Sequence, residues 1–120
     1  MEWSGIDARK SVRVSFECVV KVKKRGPKLV LESMTENISM GGICVILEKP
    51  LLKGAYVVLE IHLPDDLPFV ECEGRVAWSV KRDEYSRKKL FQFNTGIEFI
   101  EISDQDRTRV RHIIDEMLEY

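Results

Sequence analysis

Val12, Val14, Phe16, Cys18, Val20 and Val22 alternate with Arg13, Ser15, Glu17, Lys21 and Lys23. A period of two sets apolar and polar side chains on opposite faces of an extended chain, and no helix reproduces it, because helical faces recur every 3.6 residues or about that. The segment is therefore read as a strand. Arg25-Gly26-Pro27 then supplies turn chemistry, and the aliphatic and β-branched residues of 29–36 return as an antiparallel partner. Residues 37–42 form a polar, glycine-ended loop before the apolar run 43–47. Pro50 and Gly54 mark a further connection to an alternating segment at 56–63, which the Pro64-Asp65-Asp66 turn closes. A fifth strand fits 69–80, with Val70, Cys72, Val76 and Trp78 on one side, and a sixth fits 90–102 after the charged loop 81–89.

Six short strands separated by turns point to a closed antiparallel barrel, since closure removes exposed strand edges. The chain ends differently. Ser103 precedes Asp106 by three residues in a capping pattern, and Val110, Ile113, Ile114, Met117 and Leu118 recur at helical spacing. The expected fold is mainly β: a six-stranded antiparallel β-barrel over residues 13–120 with a C-terminal α-helix covering a mouth or sheet face. Residues 1–12 show no sustained pattern and are read as a flexible arm.

Nineteen basic and twenty acidic residues in 120 leave a net charge of -1, so overall electrostatics supply no pull toward nucleic acid or membrane. Neither a leader pattern nor an apolar run of membrane-spanning length is present, and the chain is read as cytoplasmic without membrane insertion. Cys18, Cys44 and Cys72 lack paired spacing and sit in apolar segments, where cysteine behaves as a small hydrophobe. His62 and His112 lack the spacing of a helical metal pair. Ser39 lacks the flanking glycines of a nucleophile elbow, and there is no phosphate-gripping GxxxxGK[ST] loop. No enzyme, metal site or cofactor is expected; the remaining candidates are binding groups.

Two clusters carry that chemistry. Arg9 and Arg13 are four residues apart around Lys10, and guanidinium forks pair in bidentate fashion with phosphate or the guanine edge and stack on base faces. Alone, such a run is ordinarily a solvated strand start. Asn37, Ser39, Gly41 and Gly42 offer an amide, a hydroxyl and two glycines able to take positive φ, which could equally serve a plain turn. Trp78 reads as core, with a stacking platform as its alternative.

Taken together and in order, these residues resemble the PilZ domain, the bacterial receptor module for cyclic di-GMP. Its RxxxR motif is matched by Arg9 and Arg13, and its [D/N]xSxxG motif by Asn37, Ser39 and Gly42. Gly96-Ile97-Glu98-Phe99 is similar to its G-[IV]-x-F segment, and Gly74-Arg75-Val76 to its earlier G-x-V strand. The resemblance spans residues 8–118. It implies a split-barrel fold and a non-catalytic role. Arg9 and Arg13 would hold the phosphates and guanine, Asn37 and Ser39 a guanine edge and nearby polar atoms, and Gly42 the turn. The family often has two successive arginines at its first motif, where this chain has Ala8 before Arg9 and Lys10 after it. The reading is a cyclic di-GMP receptor, monomeric or weakly dimeric, that orders its arm on binding and signals to an effector protein in motility, biofilm, exopolysaccharide or virulence control. Alternatives are a ligand-independent interaction adaptor of the same fold and a barrel for single-stranded nucleic acid. The near-neutral charge disfavours the last.

Overall fold

The computed structural model describes residues 13–15, 18–24, 29–82 and 92–118. The expectations for the arm at 1–12, the turn at 25–27 and most of the charged loop at 81–89 lie outside them.

Six strands and one helix follow in chain order: β1 (Val19–Lys24), β2 (Leu29–Ile38), β3 (Gly42–Leu47), β4 (Tyr56–Ile61), β5 (Val70–Lys81), β6 (Phe93–Glu101) and α1 (Asp104–Leu118). Every pairing is antiparallel, and the spatial order β1-β2-β3-β6-β5-β4 closes on itself through β1 and β4. The expected barrel and terminal helix are both present. β1 begins at Val19, within the alternating run. Val14 pairs with Ile38, one residue out of step with the Val19 to Met34 register, so a slip divides the long alternating run.

The barrel is built by alternation. Val20 and Val22 from β1, Ile43, Val45 and Leu47 from β3, Val57, Leu59 and Ile61 from β4, and Ile97 from β6 are almost wholly buried. At roughly 25 cal/mol per Å² of apolar surface removed from water, this interior supplies the main favourable term. Cys18, Cys44 and Cys72 are buried too, and none forms a disulfide. Burial pushes the Cys18 thiol up to about 11 and the Cys72 thiol up to about 12, which keeps both protonated and unreactive.

Outward positions hold charge. Glu60 on β4 is largely covered, gripped by Lys23 at 3.1 Å, Lys21 at 3.6 Å and His62 at 2.9 Å. Those partners, His62 first, hold its carboxyl below the usual range. Both histidines are exposed.

Helix α1 starts where the capping pattern placed it. The Asp106 amide donates to Ser103 Oγ at 3.1 Å, and Asp104 and Asp106 put negative charge in the first turn, where the helix dipole favours it. Val110, Ile113 and Ile114 enter the core, whereas Met117 and Leu118 are exposed, so the apolar stripe outruns the surface it covers. On the flank, the Arg109 fork closes on Asp65 in the β4–β5 connection, Nε to Oδ2 at 3.0 Å and Nη2 to Oδ1 at 2.9 Å. This ties helix to barrel. The pair is mostly shielded, with side chains 12% and 21% exposed.

The Arg109 hydrogen bond holds the Asp65 carboxyl below its ordinary 3.8. A lowered folded value contributes stability above the unfolded value, and that contribution is lost as pH falls through the folded one. Asp65→Asn should therefore cost about 1.5–3 kcal/mol in urea unfolding at neutral pH, the usual range for hydrogen bonds to charged groups. The gap between variant and parent should shrink in titrations carried below 3.8.

Candidate functional site

Asn37 and Ile38 end β2, and Ser39, Met40 and Gly41 make a tight turn into β3. The Ser39 amide donates to the Gly42 carbonyl at 2.8 Å, and the Gly41 amide donates to Ser39 Oγ at 3.2 Å. Ser39 is 2% exposed, so its hydroxyl is engaged within the turn. The Gly41 carbonyl accepts from the Phe99 amide at 2.9 Å, anchoring the turn to β6.

The glycines serve a different purpose from the one expected. Among the described residues only Gly54 and Asp66 have positive φ, so neither Gly41 nor Gly42 is needed for a left-handed conformation. Gly42 is required by close approach: a Cβ there would overlap the Ile97 carbonyl oxygen and lie 3.1 Å from the Glu98 Cα. Strand β6 presses on this position, which makes Gly42 a condition of the β3–β6 pairing.

The direction in which Asn37 points is set by a bulge. Thr35 faces Val45, but Asn37 faces Cys44, so β2 carries one extra residue at this point. Thr35 lies inward and is 3% exposed, its Oγ1 donating to the carbonyl of Cys44 at 3.1 Å. Without the extra residue Asn37 would share that inward face; with it, Ile38 turns inward and Asn37 outward. There Arg13 meets it, Nη1 donating to Asn37 Oδ1 at 2.8 Å. The two sequence clusters are thus joined by a hydrogen bond across 24 residues of chain.

A second bulge operates in β5. Val76 faces Ile97, yet Trp78 faces Gly96, leaving one extra residue between them. The same phase reversal sends Trp78 out of the barrel to 41% exposure, which corrects its reading as core. Its indole lies against Gly96, where a Cβ would overlap the ring.

These two reversals put Asn37, Cys44, Gly96 and Trp78 in one row across β2, β3, β6 and β5. Three strand spacings separate its ends, about 14 Å. The result is a shelf with Arg13 and Asn37 at one end, an aromatic face at the other and small residues between. A parallel row holds Gly42, Glu98, Arg75 and Tyr56, in which Arg75 Nε donates to Glu98 Oε1 at 2.8 Å. Arg75 and Glu98 were not singled out from sequence. Their place beside the shelf appears only in the strand register. Arg9, Ala8 and Lys10 lie outside the described residues, and Gly41 sits at the turn beside Gly42. No three His, Cys, Asp or Glu side chains gather as a metal site among the described residues.

Gly42→Ala should cost about 1–3 kcal/mol, the usual penalty of an added methyl without room, measured by urea unfolding. Gly96→Ala should instead displace the Trp78 indole N–H resonance in an amide spectrum of the folded protein. An unmoved resonance would contradict the stacking described.

The sequence matches the model of the PilZ domain family over residues 7–116. Among solved structures, it is similar to the PilZ domain of YcgR from Escherichia coli with c-di-GMP, at a TM-score of 0.73 and 15% identity, covering 94% of this chain and 93% of that one. The inhibitor of motility MotI/DgrA from Bacillus subtilis matches at 0.70 and 23% identity, over 92% of this chain and 51% of its own. The MrkH–c-di-GMP complex of K. pneumonia matches at 0.65 and 16%, over 95% and 54%. This chain thus spans about half of those two. No curated protein matches the chain.

Proposed function

The chain belongs to the PilZ domain family, and from that premise we propose that it is a receptor for cyclic di-GMP, bound on the outer shelf of β2, β3, β6 and β5. The observation that carries this reading is the Arg13 to Asn37 hydrogen bond, which unites the two motif clusters on the face that also bears Trp78. A ligand with two purines and two phosphates needs cations with a planar fork, a polar edge and a flat apolar partner. Arg13, joined by Arg9, supplies the forks for phosphate and the guanine O6/N7 edge. Asn37 supplies amide donors and an acceptor, and Ser39, Gly41 and Gly42 hold the turn that positions it. Trp78 offers its exposed ring face to a guanine.

The role is recognition without catalysis. The nearest reading of its output is an adaptor, cytoplasmic in a bacterium and monomeric or weakly dimeric, that hands the nucleotide signal to an effector protein. Two structural neighbours, an inhibitor of motility and a c-di-GMP dependence transcription regulatory factor, support that kind of output. Ligand contacts by Arg9 and Arg13 would order residues 1–13 on the site, presenting them to the effector.

Isothermal titration of cyclic di-GMP is expected to show saturable binding, absent with GTP. Arg13→Ala and Asn37→Ala should each weaken it by at least about tenfold, the equivalent of about 1.4 kcal/mol. Trp78→Ala should cost about 1–3 kcal/mol, as for a lost base–aromatic stack. Hydrogen exchange at residues 1–13 should slow on saturation. An absence of heat at high ligand concentration would overturn the receptor reading and leave a ligand-independent adaptor of the same fold.

A further inference from the structure

Glu98 stands on the outer face of β6, two residues beyond Gly96, and is the cross-strand partner of Gly42 on β3 and Arg75 on β5. Arg75 Nε donates to Glu98 Oε1 at 2.8 Å, and Arg75 Nη2 donates to the same oxygen. The guanidinium is thus closed on one carboxylate oxygen, and Oε2 lies outside the ion pair. The two side chains are 48% and 46% exposed, where such a pair adds little to stability. Trp78 faces Gly96, so Glu98 is its diagonal neighbour across β5 and β6, about 7–8 Å away and within reach of a long side chain. Gly42 and Gly96, which flank Glu98 on the side of the shelf, carry no side chain to come between.

We propose that Glu98, held by Arg75, reads the second guanine of the nucleotide and makes the shelf selective for guanine over adenine. The proposal rests on the receptor reading above, which seats one guanine at Arg13 and Asn37. A second purine stacked on the exposed face of Trp78 brings its edge to Glu98. A carboxylate accepts hydrogen bonds and has no proton to donate. Guanine presents two adjacent donors on its pairing edge, N1–H and the N2 amine, which suit a carboxylate. Adenine presents N1 there as an acceptor, so acceptor would meet acceptor. A bare carboxylate would also repel the two phosphates of the ligand. Arg75 cancels that charge and fixes the carboxylate's direction while leaving Oε2 outside the pair, so the ion pair stays closed as the base binds. Glu98 is thereby the specificity residue and Arg75 a positioning residue.

Isothermal titration of the full chain with cyclic di-GMP, cyclic di-AMP and cyclic di-IMP tests this, the base of the last being guanine without its N2 amine. The parent should bind cyclic di-GMP at least about tenfold more tightly than either of the others, in keeping with the discrimination of a bidentate base contact. Glu98→Gln replaces one acceptor by a donor, and an amide suits adenine, which offers a donor beside an acceptor. That variant should close most of the gap between cyclic di-GMP and cyclic di-IMP and narrow the guanine-to-adenine ratio by at least about tenfold. Arg75→Ala should narrow the same ratio, and Arg75→Lys, which keeps the charge without the fork, should restore part of it. A ratio between ligands is insensitive to a merely structural loss, because all three draw on the same folded fraction. Equal affinity of the parent for cyclic di-GMP and cyclic di-IMP overturns the proposal without any variant having to fold. A Glu98→Gln ratio equal to the parent's overturns it as well. A parent that takes up none of the three overturns the receptor reading and the selectivity with it, whereas one that takes up cyclic di-GMP and cyclic di-AMP alike keeps the receptor reading and overturns the selectivity alone.

Discussion

A strand in this barrel must send every second side chain into a shared interior, and the outer face is organised by the few places where that rule is interrupted. Ile38, Ile43, Leu59, Ile61 and Ile97 are essentially inaccessible to water. Slipping any strand by one residue would expose its whole apolar set, so the register is held firmly. A bulge is the economical way to redirect one residue while the rest of a strand keeps its phase. Asn37 and Trp78 both reach the surface this way.

Close backbone approach is the second requirement. Gly42 lets β6 lie against β3, Gly74 leaves room for Ile97 and Leu59, and Gly96 receives the Trp78 ring. The glycines thus shape the shelf by what they omit. Charged pairs contribute unevenly around this frame. Arg75 and Glu98 are each nearly half exposed, where an ion pair adds little beyond orientation. Arg109 and Asp65 are better shielded and join the helix to the β4–β5 connection, which keeps α1 in place against the barrel.

Much of the architecture could be read along the chain. Alternation in Val20 and Val22 and in Val57, Leu59 and Ile61 identified inward faces, and the Ser103 cap located the helix start. The motif residues of the turn were visible as well, since Asn37, Ser39 and Gly42 match the family motif in order and spacing. The orientation of Trp78 was not, because a one-residue bulge leaves no mark on composition and simple alternation sends that ring inward. The purpose of Gly42 was misread for a related reason: flexibility is the property of glycine evident in a sequence, whereas the need for space depends on what strand lies opposite. Glu60 shows the same limit, a carboxylate flanked by His62 along its own chain but covered as well by Lys21 and Lys23, which only the β1–β4 pairing brings to it.

Local periodicity, turn chemistry and the capping serine are short-range properties, and they sufficed to determine six strands and one helix, while the two binding clusters were legible through the order and spacing of the family motifs. Tertiary structure alone decided that Arg13 touches Asn37 and that Trp78 stands outside on the same row. The physical reason is that barrel closure sets which strands become neighbours, and bulges set which face each side chain occupies. Both follow from the packing of the whole interior and from no single stretch of chain.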